Sequence, residues 1–452
     1  MILGRARNIK NCFAPINRLP PEILAQIAMF FPRERHLIDA TAVCQHWRSA
    51  LLSFPRLWRD VGGSLSEIQA YLERSGSTSL DVTLLDPSLV NLIVPHTSRL
   101  VGLALRINHS LSFNQIIEHL HHPIPTLRSF RISTVPPLLH TLELPPCSDG
   151  SFFLYSRKLE IKGISVFHAP RACPYVTDLT LHTNGYQSIQ MDPFLRTLEE
   201  LPLLEKVYIV FCSDMYTDVP PRLATLPHVR TMSLSRFGKS SIPVRLPQIL
   251  EYLQLPKLTS LHVQVFPRSV TFRPIFPVAT FGRHLPNLTE LSELHVDMGS
   301  GEVTFQNSSL ATLKYHTELL STYDSVERKI WGGLPLHSVR RLTVNMVSQS
   351  NCQQLACTWL VELLRDLRSL EHLELGGRCE SAIRSLCQEM TKEPISVPIR
   401  TLTVRCEEQE KPQALRLKQL ADAAGLITVL IFVPDPEVRE EGEMEADANG
   451  PG

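Results

Sequence analysis

A short apolar motif recurs along most of this chain and constrains its fold more than any other feature. The motif consists of an apolar residue, two residues of any type, a second apolar residue, one residue of any type, and a third apolar residue. Its copies are Leu100/Leu103/Leu105, Leu127/Phe130/Ile132, Val176/Leu179/Leu181, Leu204/Val207/Ile209, Val229/Met232/Leu234, Leu258/Leu261/Val263, Leu291/Leu294/Val296, Val339/Leu342/Val344, Leu370/Leu373/Leu375, Ile399/Leu402/Val404 and Leu426/Val429/Ile431. The last two apolar residues of each copy are two positions apart and therefore share one face of a β-strand.

The distance between successive copies indicates a repeated unit. Copies that begin at 176, 204, 229, 258 and 291 are separated by 28, 25, 29 and 33 residues, and those at 339, 370, 399 and 426 by 31, 29 and 27. Helical patterns at 194–201, 249–253 and 360–367 lie between them. The arrangement resembles leucine-rich repeats, whose strand-plus-helix units stack into a horseshoe. The prediction is an α/β fold with an irregular leucine-rich-repeat solenoid at 63–433, with parallel strands and outer helices.

The repeats depart from the family pattern. Leucine-rich repeats carry Asn or Cys three residues after the last apolar residue of the strand, and here only Asn108, Asn184 and Cys212 meet that rule. Irregular stacking is therefore expected, with weaker copies at 139–144 and 310–315 and insertions at 145–174 and 266–286. An unrelated α/β domain with parallel strands is the alternative, because the motif also recurs by chance in leucine-rich chains.

A separate, proline-bounded segment precedes the repeats at residues 19–61. The prolines at 20 and 21 suit the first turn of a helix, and the apolar residues at 23, 24, 27 and 31 then line one helical face. A second helical run reaches residue 51, and a third, very short element carries Leu57 and Trp58. Three short helices bury little apolar surface, so such a unit depends on the rest of its chain or on a partner.

This segment resembles the F-box in three pieces that follow one another at the family's spacing. The pieces are Leu19, Pro20, Glu22, Ile23 and Leu24, then Val43, Cys44 and Trp47, then Pro55, Leu57 and Trp58. The resemblance implies docking on a Skp-family adaptor and, through it, on a cullin–RING ubiquitin ligase. Carried over by position, the residues that form or support the apolar docking face are Leu19, Pro20, Ile23, Leu24, Ile27, Val43, Cys44, Trp47 and Leu57. The alternative is an ordinary three-helix core.

The remaining domain boundaries follow from composition. The F-box-like helices are assigned to 16–62, after a disordered lead-in at 1–15. The tail at 434–452 holds seven acids and no aromatic residue, so it is predicted to be disordered. Ten cysteines without a C-x-x-C pair indicate reduced thiols in an intracellular protein, and the expected location is cytoplasmic and/or nuclear. No membrane-spanning segment is predicted, since no apolar run approaches about 18 residues.

Motifs for chemistry are missing from the sequence. Gly238-Lys239-Ser240 follows a predicted strand, but Ser233 occupies the position where a P-loop needs its first glycine. The histidines at 119, 121 and 122 have no Cys or acid at ligand spacing. We therefore predict no catalytic residue, no cofactor and no metal. Lys plus Arg and Asp plus Glu balance at 45 each, which gives no support to nucleic-acid binding.

Together, these features resemble F-box proteins with leucine-rich repeats, and in particular the large F-box families of mushroom-forming fungi. Such proteins are non-catalytic substrate receptors, in which the F-box tethers the chain to the ligase and the repeats hold a protein client, here of unknown identity. The main rival is a repeat scaffold or recruitment protein in which the F-box-like helices only cap the first repeat. That rival predicts that Leu24 and Trp47 are buried against the first repeat. An enzyme is the third alternative.

Overall fold

The structure is a computed structural model. The described residues are 14–31, 34–107, 116, 119–120, 123–134, 154–163, 173–183, 189–211, 215–216, 222–236, 246–265, 284–297, 302–306, 312–317, 336–346, 360, 363–377, 399–407, 411–423 and 427–433. They divide into two compact units. Unit 1 is Met1–Gln187 with Arg196–Leu203, and unit 2 is Ser188–Leu195 with Leu204–Gly452.

Unit 1 begins with three short helices. A 3₁₀ turn at Pro15–Arg18 leads into α1 (Pro21–Met29), α2 (Glu34–Thr41) and α3 (Gln45–Leu52), and a second 3₁₀ turn follows at Pro55–Trp58. A proline opens α1 and both turns, where its missing N–H leaves no hydrogen bond unmade. Helices α1 and α2 both pack on α3. These helices confirm the N-terminal helical module that the sequence predicted.

The rest of unit 1 is a parallel sheet with short connecting helices. Its strands are β1 (Asp60–Val61), β2 (Leu80–Leu84), β3 (Leu100–Ile107), β4 (Ser129–Thr134), β5 (Lys158–Lys162) and β6 (Asp178–His182), which lie side by side in chain order. Helix α4 (Leu65–Arg74), a 3₁₀ turn (Pro87–Leu89), α5 (Val90–Ile93) and a second 3₁₀ turn (Val94–Arg99) connect the first strands. Each pair of neighbouring strands is parallel.

One face of this sheet is apolar and buried. In successive strands Leu103, Phe130, Leu159 and Leu179 occupy matched positions, and each is at most 1% exposed. Their alternate neighbours point to the opposite, polar face, because side chains along a strand alternate. The backbone also links neighbouring strands where they begin. The carbonyl oxygen of Arg128, just before β4, accepts the N–H groups of Arg157 and of Lys158, the first residue of β5, each over 2.9 Å.

Unit 2 carries the remaining elements. Its strands are β7 (Ile189–Gln190), β8 (Lys206–Phe211), β9 (Met215–Tyr216), β10 (Ala224–Thr225), β11 (Thr231–Arg236), β12 (Leu253–Gln254), β13 (Ser260–Val265), β14 (Glu293–Asp297), β15 (Glu302–Gln306), β16 (Thr312–Thr317), β17 (Arg341–Met346), β18 (His372–Gly377), β19 (Thr401–Glu407) and β20 (Ile427–Val433). Its helices are α7 (Leu246–Glu251) and α8 (Lys411–Ala423), with 3₁₀ turns at Pro286–Leu288 and Leu336–Ser338. Helix α6 (Met191–Glu199) has residues in both units.

The main sheet of unit 2 contradicts a uniformly parallel array. Its order is β8-β11-β13-β16-β15-β14-β17-β18-β19-β20, and β15 runs antiparallel to both β14 and β16. Strand β14 does not pair with β13. Instead β16 pairs with β13, β15 lies between β16 and β14, and β17 pairs with the other edge of β14. The weak copy at 310–315 supplies β16, in which Leu313 aligns with Leu261 of β13.

Every full copy of the apolar motif has its last two positions in a strand, but two predictions about the motif are wrong. Strand β5 lies inside the predicted insertion at 145–174, because Leu159 and Ile161 continue the pattern after a serine, Ser156, in the first position. In β20, Val429 and Ile431 are 43% and 39% exposed. The weaker copy at 139–144 lies outside the described residues.

Two predicted terminal segments also fall largely or wholly outside the described residues. These are the lead-in at 1–15, of which only residues 14 and 15 are described, and the tail at 434–452. Among the helices that the structure describes, none combines the length and the apolar character that crossing a membrane requires.

Candidate functional site

The N-terminal helices are the candidate functional site, and their first helix has two apolar faces. Leu24, Ala25 and Ala28 of α1 are 0%, 2% and 6% exposed and face the core of the module. Ile23 lies on the opposite side and is 38% exposed, and Phe30, seven residues later at the end of α1, is 84% exposed. Seven residues are close to two helical turns, so these two side chains belong to one outer stripe.

The turn between α2 and α3 presents a second exposed apolar side chain. Val43 is 60% exposed, and its N–H donates to the carbonyl oxygen of Ala40 over 3.2 Å, which holds the turn. Cys44 follows in an extended conformation and precedes the first residue of α3. The turn therefore places Val43 outside the core next to the start of α3.

A polar contact ties the segment before α1 to the start of α3. The indole Nε1 of Trp47 donates to Oδ1 of Asn17 over 2.8 Å, and Sγ of Cys44 lies 4.0 Å from the same oxygen. Nε2 of His46 is 3.5 Å from the carbonyl oxygen of Leu19. The opening and the centre of the F-box-like pattern are thus brought together, although 30 residues separate Asn17 from Trp47.

The close of the pattern anchors the module to the first helix after it. Trp58 is 0% exposed, and its Nε1 donates to the carbonyl oxygen of Leu51 over 3.1 Å. The Trp58 ring meets the ring of Tyr71 edge-on with 5.0 Å between centroids, and the guanidinium carbon of Arg74 lies 4.5 Å from its centroid. Trp58 therefore joins α3 to α4, and strand β1 begins at Asp60, just after it.

The predicted docking residues divide between the surface and the core. Those that reach solvent wholly or in part are Leu19, Pro20, Ile23, Ile27, Val43, Cys44 and Leu57. Leu24 and Trp47 are 0% and 6% exposed, so they can support a docking face from beneath but cannot form part of its surface. Both belong to helices that pack on each other, α1 and α3.

The motif missed other exposed apolar side chains of the module. These are Ile16, Met29, Phe30 and Leu52, with exposed fractions of 45%, 62%, 84% and 39%. Helical spacing could have found Phe30, which lies seven residues after Ile23. We define the outer apolar face of the module as Ile23, Val43, Met29 and Phe30, its exposed residues in α1, at the end of α1 and in the turn before α3.

Comparison with known proteins agrees with this geometry. Residues 16–62 match the family described as F-box-like. The chain therefore carries an F-box-like domain, which covers its N-terminal helices and strand β1. Among curated proteins, none matches the chain.

Proposed function

We propose that this chain is the substrate-recognition subunit of an SCF-type (Skp–cullin–F-box) E3 ubiquitin ligase. The single observation that carries the proposal is the outer apolar face on a domain that matches the F-box-like family. Exposed apolar side chains grouped on one small module are typical of a protein-binding surface. A Skp-family adaptor that covers this face would link the chain to the cullin and RING subunits.

The chain contributes proximity rather than chemistry in this account. Its F-box-like domain binds the adaptor, its strand-rich units bind a protein client, and a conjugating enzyme recruited by the RING subunit transfers ubiquitin. Holding client and enzyme in one complex raises their effective concentration without any catalytic group from this chain. The proposal places the protein in the cytoplasm and/or nucleus, where ubiquitin ligases of this type work.

A finer part of the proposal concerns the type of repeat that forms the sheets and the subfamily of F-box proteins that the chain resembles. We interpret the parallel strands as irregular leucine-rich repeats, interrupted in unit 2 by the antiparallel strand β15. The spacing of about 25–33 residues between copies supports this interpretation. The divergent repeats behind an F-box-like domain support a receptor of the kind found in mushroom-forming fungi.

One observation favours a second candidate function, a scaffold whose F-box-like domain is only an N-terminal cap. Strand β1, where the domain ends, pairs in parallel with β2, and Trp58 packs on Tyr71 of α4. The domain thus continues directly into the sheet of unit 1, as a capping element does. A cap does not require Ile23, Val43 and Phe30 to be exposed, and the two candidates differ in whether an adaptor binds there.

A reconstituted reaction tests the proposal. The assay measures ubiquitin attached to the chain itself. The reaction contains the full chain, a Skp-family adaptor, a cullin, a RING subunit, activating and conjugating enzymes, ubiquitin and ATP. Receptor subunits held close to the conjugating enzyme become modified, so ubiquitin should appear on the chain only when the adaptor is present. Equal modification without the adaptor, or none with it, contradicts the proposal and leaves the scaffold function.

A further inference from the structure

The polar face of the unit 1 sheet carries a group of cations on three neighbouring strands. We define the basic face as Arg106 of β3, Arg131 of β4, and Lys158 and Lys162 of β5. In the strand register Arg106 and Lys162 both align with Ser133, and Lys158 aligns with Ser129, two residues before Arg131. All of these positions alternate with the buried residues of the same strands, so the cations share the face opposite the core.

A carboxylate organises two of these cations. Oε2 of Glu160 lies 2.5 Å from Nε of Arg131, and its Oε1 lies 2.7 Å from Nζ of Lys162. Burial acts to raise the pKa of Glu160, but the hydrogen bonds from Lys162 and Arg131 outweigh it, and the pKa is lowered. Glu160 therefore stays ionised, and it holds the cations on the face while their side chains remain 55% and 43% exposed.

The other two cations are not neutralised in the same way. Arg106 and Lys158 are exposed, and within the described part of the chain neither forms an ion pair. Three carboxylates border these cations: Glu160 between them, Asp81 on β2, which interacts with the charge of Arg131, and Asp178 on β6 beside Lys158, which accepts a hydrogen bond from Thr177 over 2.7 Å. Cations thus outnumber carboxylates on β3, β4, β5 and β6, and the face attracts negative charge.

Small residues leave room above the sheet between these cations. Ala104 of β3 aligns with Arg131, and Ser129 and Ser133 flank Arg131 on β4. An extended chain can therefore approach the strands while the longer cationic side chains reach up around it. Along β5, Lys158 and Lys162 are four residues apart, which corresponds to about 13 Å of strand, with Glu160 and Arg131 in the row halfway between.

We propose that the basic face binds an acidic, extended segment of the protein client, with Asp or Glu at alternate positions. The inference rests on the proposed function, because it names the client chemistry of a substrate receptor. An extended peptide repeats its side chains on one side about every 7 Å, and this matches the spacing of the rows on the sheet. Carboxylates at alternate positions of the client segment therefore lie opposite Lys158, then Arg131, then Lys162.

Nucleic acid fits this face less well. Single-stranded nucleic acid is held by cations together with aromatic platforms on which bases stack. The aromatic residue of β4, Phe130, points into the core and is 0% exposed. Asp81 and Asp178 border the cations on β2 and β6, where they would repel a continuous phosphate backbone while leaving space for separate carboxylates.

Peptide binding to the full chain tests the inference. The probes are fluorescent peptides of equal composition, one with Glu and Ser alternating and one with all Glu in a single block, and anisotropy is measured. The alternating peptide should bind at least about fivefold more tightly, and raising the salt to about 200 mM should weaken it. Arg106→Glu with Lys158→Glu should weaken it about tenfold, because two attractive charges become repulsive. Neither cation forms an ion pair with a described residue, so the substitutions break none there.

A matched control separates the face from general charge. Arg230→Glu with Lys257→Glu reverses two exposed cations of unit 2 and should leave peptide affinity unchanged. Three results would overturn the inference: equal affinity for both peptides, equal losses of peptide affinity in both double variants, or tighter binding of an oligothymidylate through the same residues. Adaptor binding is measured in parallel with the same variants. Peptide binding without adaptor binding contradicts the receptor function and leaves the basic face as an acidic-peptide site.

Discussion

The indole Nε1 of Trp47 donates to Oδ1 of Asn17 over 2.8 Å, and this contact joins the segment before α1 to helix α3. The thiol of Cys44 lies 4.0 Å from the same oxygen. Trp47 itself is 6% exposed, so its contribution to any docking face is indirect. Its hydrogen bond holds the 3₁₀ turn before α1 in place. Asn17 lies outside the F-box-like pattern in the sequence, yet it connects two parts of that pattern.

Replacing Asn17 tests this connection. Asn17→Ala removes the acceptor and leaves the largely buried Trp47 N–H without this hydrogen bond, so the free energy of unfolding should fall by about 1–2 kcal/mol. Urea unfolding followed by tryptophan fluorescence measures the change. Asn91→Ala, at an exposed position of α5, should change stability by less than about 0.5 kcal/mol. Equal effects of the two substitutions would mean that the Asn17 contact carries no stability.

The face assigned to each strand is tested by two substitutions at the same position of the repeat. Leu261 and Val429 both occupy the second apolar position of the motif, but Leu261 is 0% exposed and Val429 is 43% exposed. Leu261→Asp buries a charge in the core of unit 2 and should cost more than about 3 kcal/mol or prevent folding. Val429→Asp should cost about 1 kcal/mol or less. Thermal melting of both variants measures the difference, and similar melting temperatures contradict the register of β20.

Asp81 makes stability depend on pH with an unusual sign for a carboxylate. Burial and then the charge of Asp60 raise its pKa above 3.8, and Arg59 and Arg131 only partly oppose them. The folded state therefore binds this proton more tightly than the unfolded state. The stability that protonation adds is present below pH 3.8 and is lost as the pH rises through the folded-state pKa.

Asp81→Asn should therefore raise the melting temperature at pH 7, by roughly 1–2 °C because solvent screens this site. The gain should shrink as the pH falls toward 3.8. Asp39→Asn, at an exposed position in α2, is the matched control for the loss of a surface carboxylate. A lower melting temperature for Asp81→Asn at pH 7 would show that the ionised carboxylate stabilises the fold. Differential scanning calorimetry across this pH range gives the answer.

Apolar spacing predicted the N-terminal helices, the helices near α6 and α7, and most strands, but it did not predict α8. It placed β8, β11 and β13 correctly, since the last two apolar residues of the motif in each strand lie on one buried face. It failed for the face of β20, whose sequence ITVLIFV is apolar at nearly every position, so that spacing cannot distinguish the two faces. It missed β5 because Ser156 replaces the first apolar residue of the motif. It missed β15 because that strand carries no copy of the motif and pairs antiparallel with its sequence neighbours β14 and β16.

The sequence names a set of candidate docking residues but does not show which of them lie at the surface. The F-box-like pattern contains core and surface positions together, and only the packing of α1 on α3 separates Leu24 from Ile23. Phe30 is the most exposed large apolar residue of the module, and no part of the pattern includes it. The basic face depends on strand register, because Arg106, Arg131 and Lys162 come from three strands that are distant in the sequence.

The most direct test of the central claim is a calorimetric titration of a Skp-family adaptor into three purified full-length chains. These are the wild type, Ile23→Asp with Val43→Asp on the outer apolar face, and Leu223→Asp, a control at a leucine of unit 2 that is 45% exposed. All three should melt alike, because the replaced side chains are not in the core. The account predicts one-to-one binding by the wild type and the control, weakened about 100-fold or more in the double variant. No binding by the wild type, or equal binding by all three chains, would contradict it.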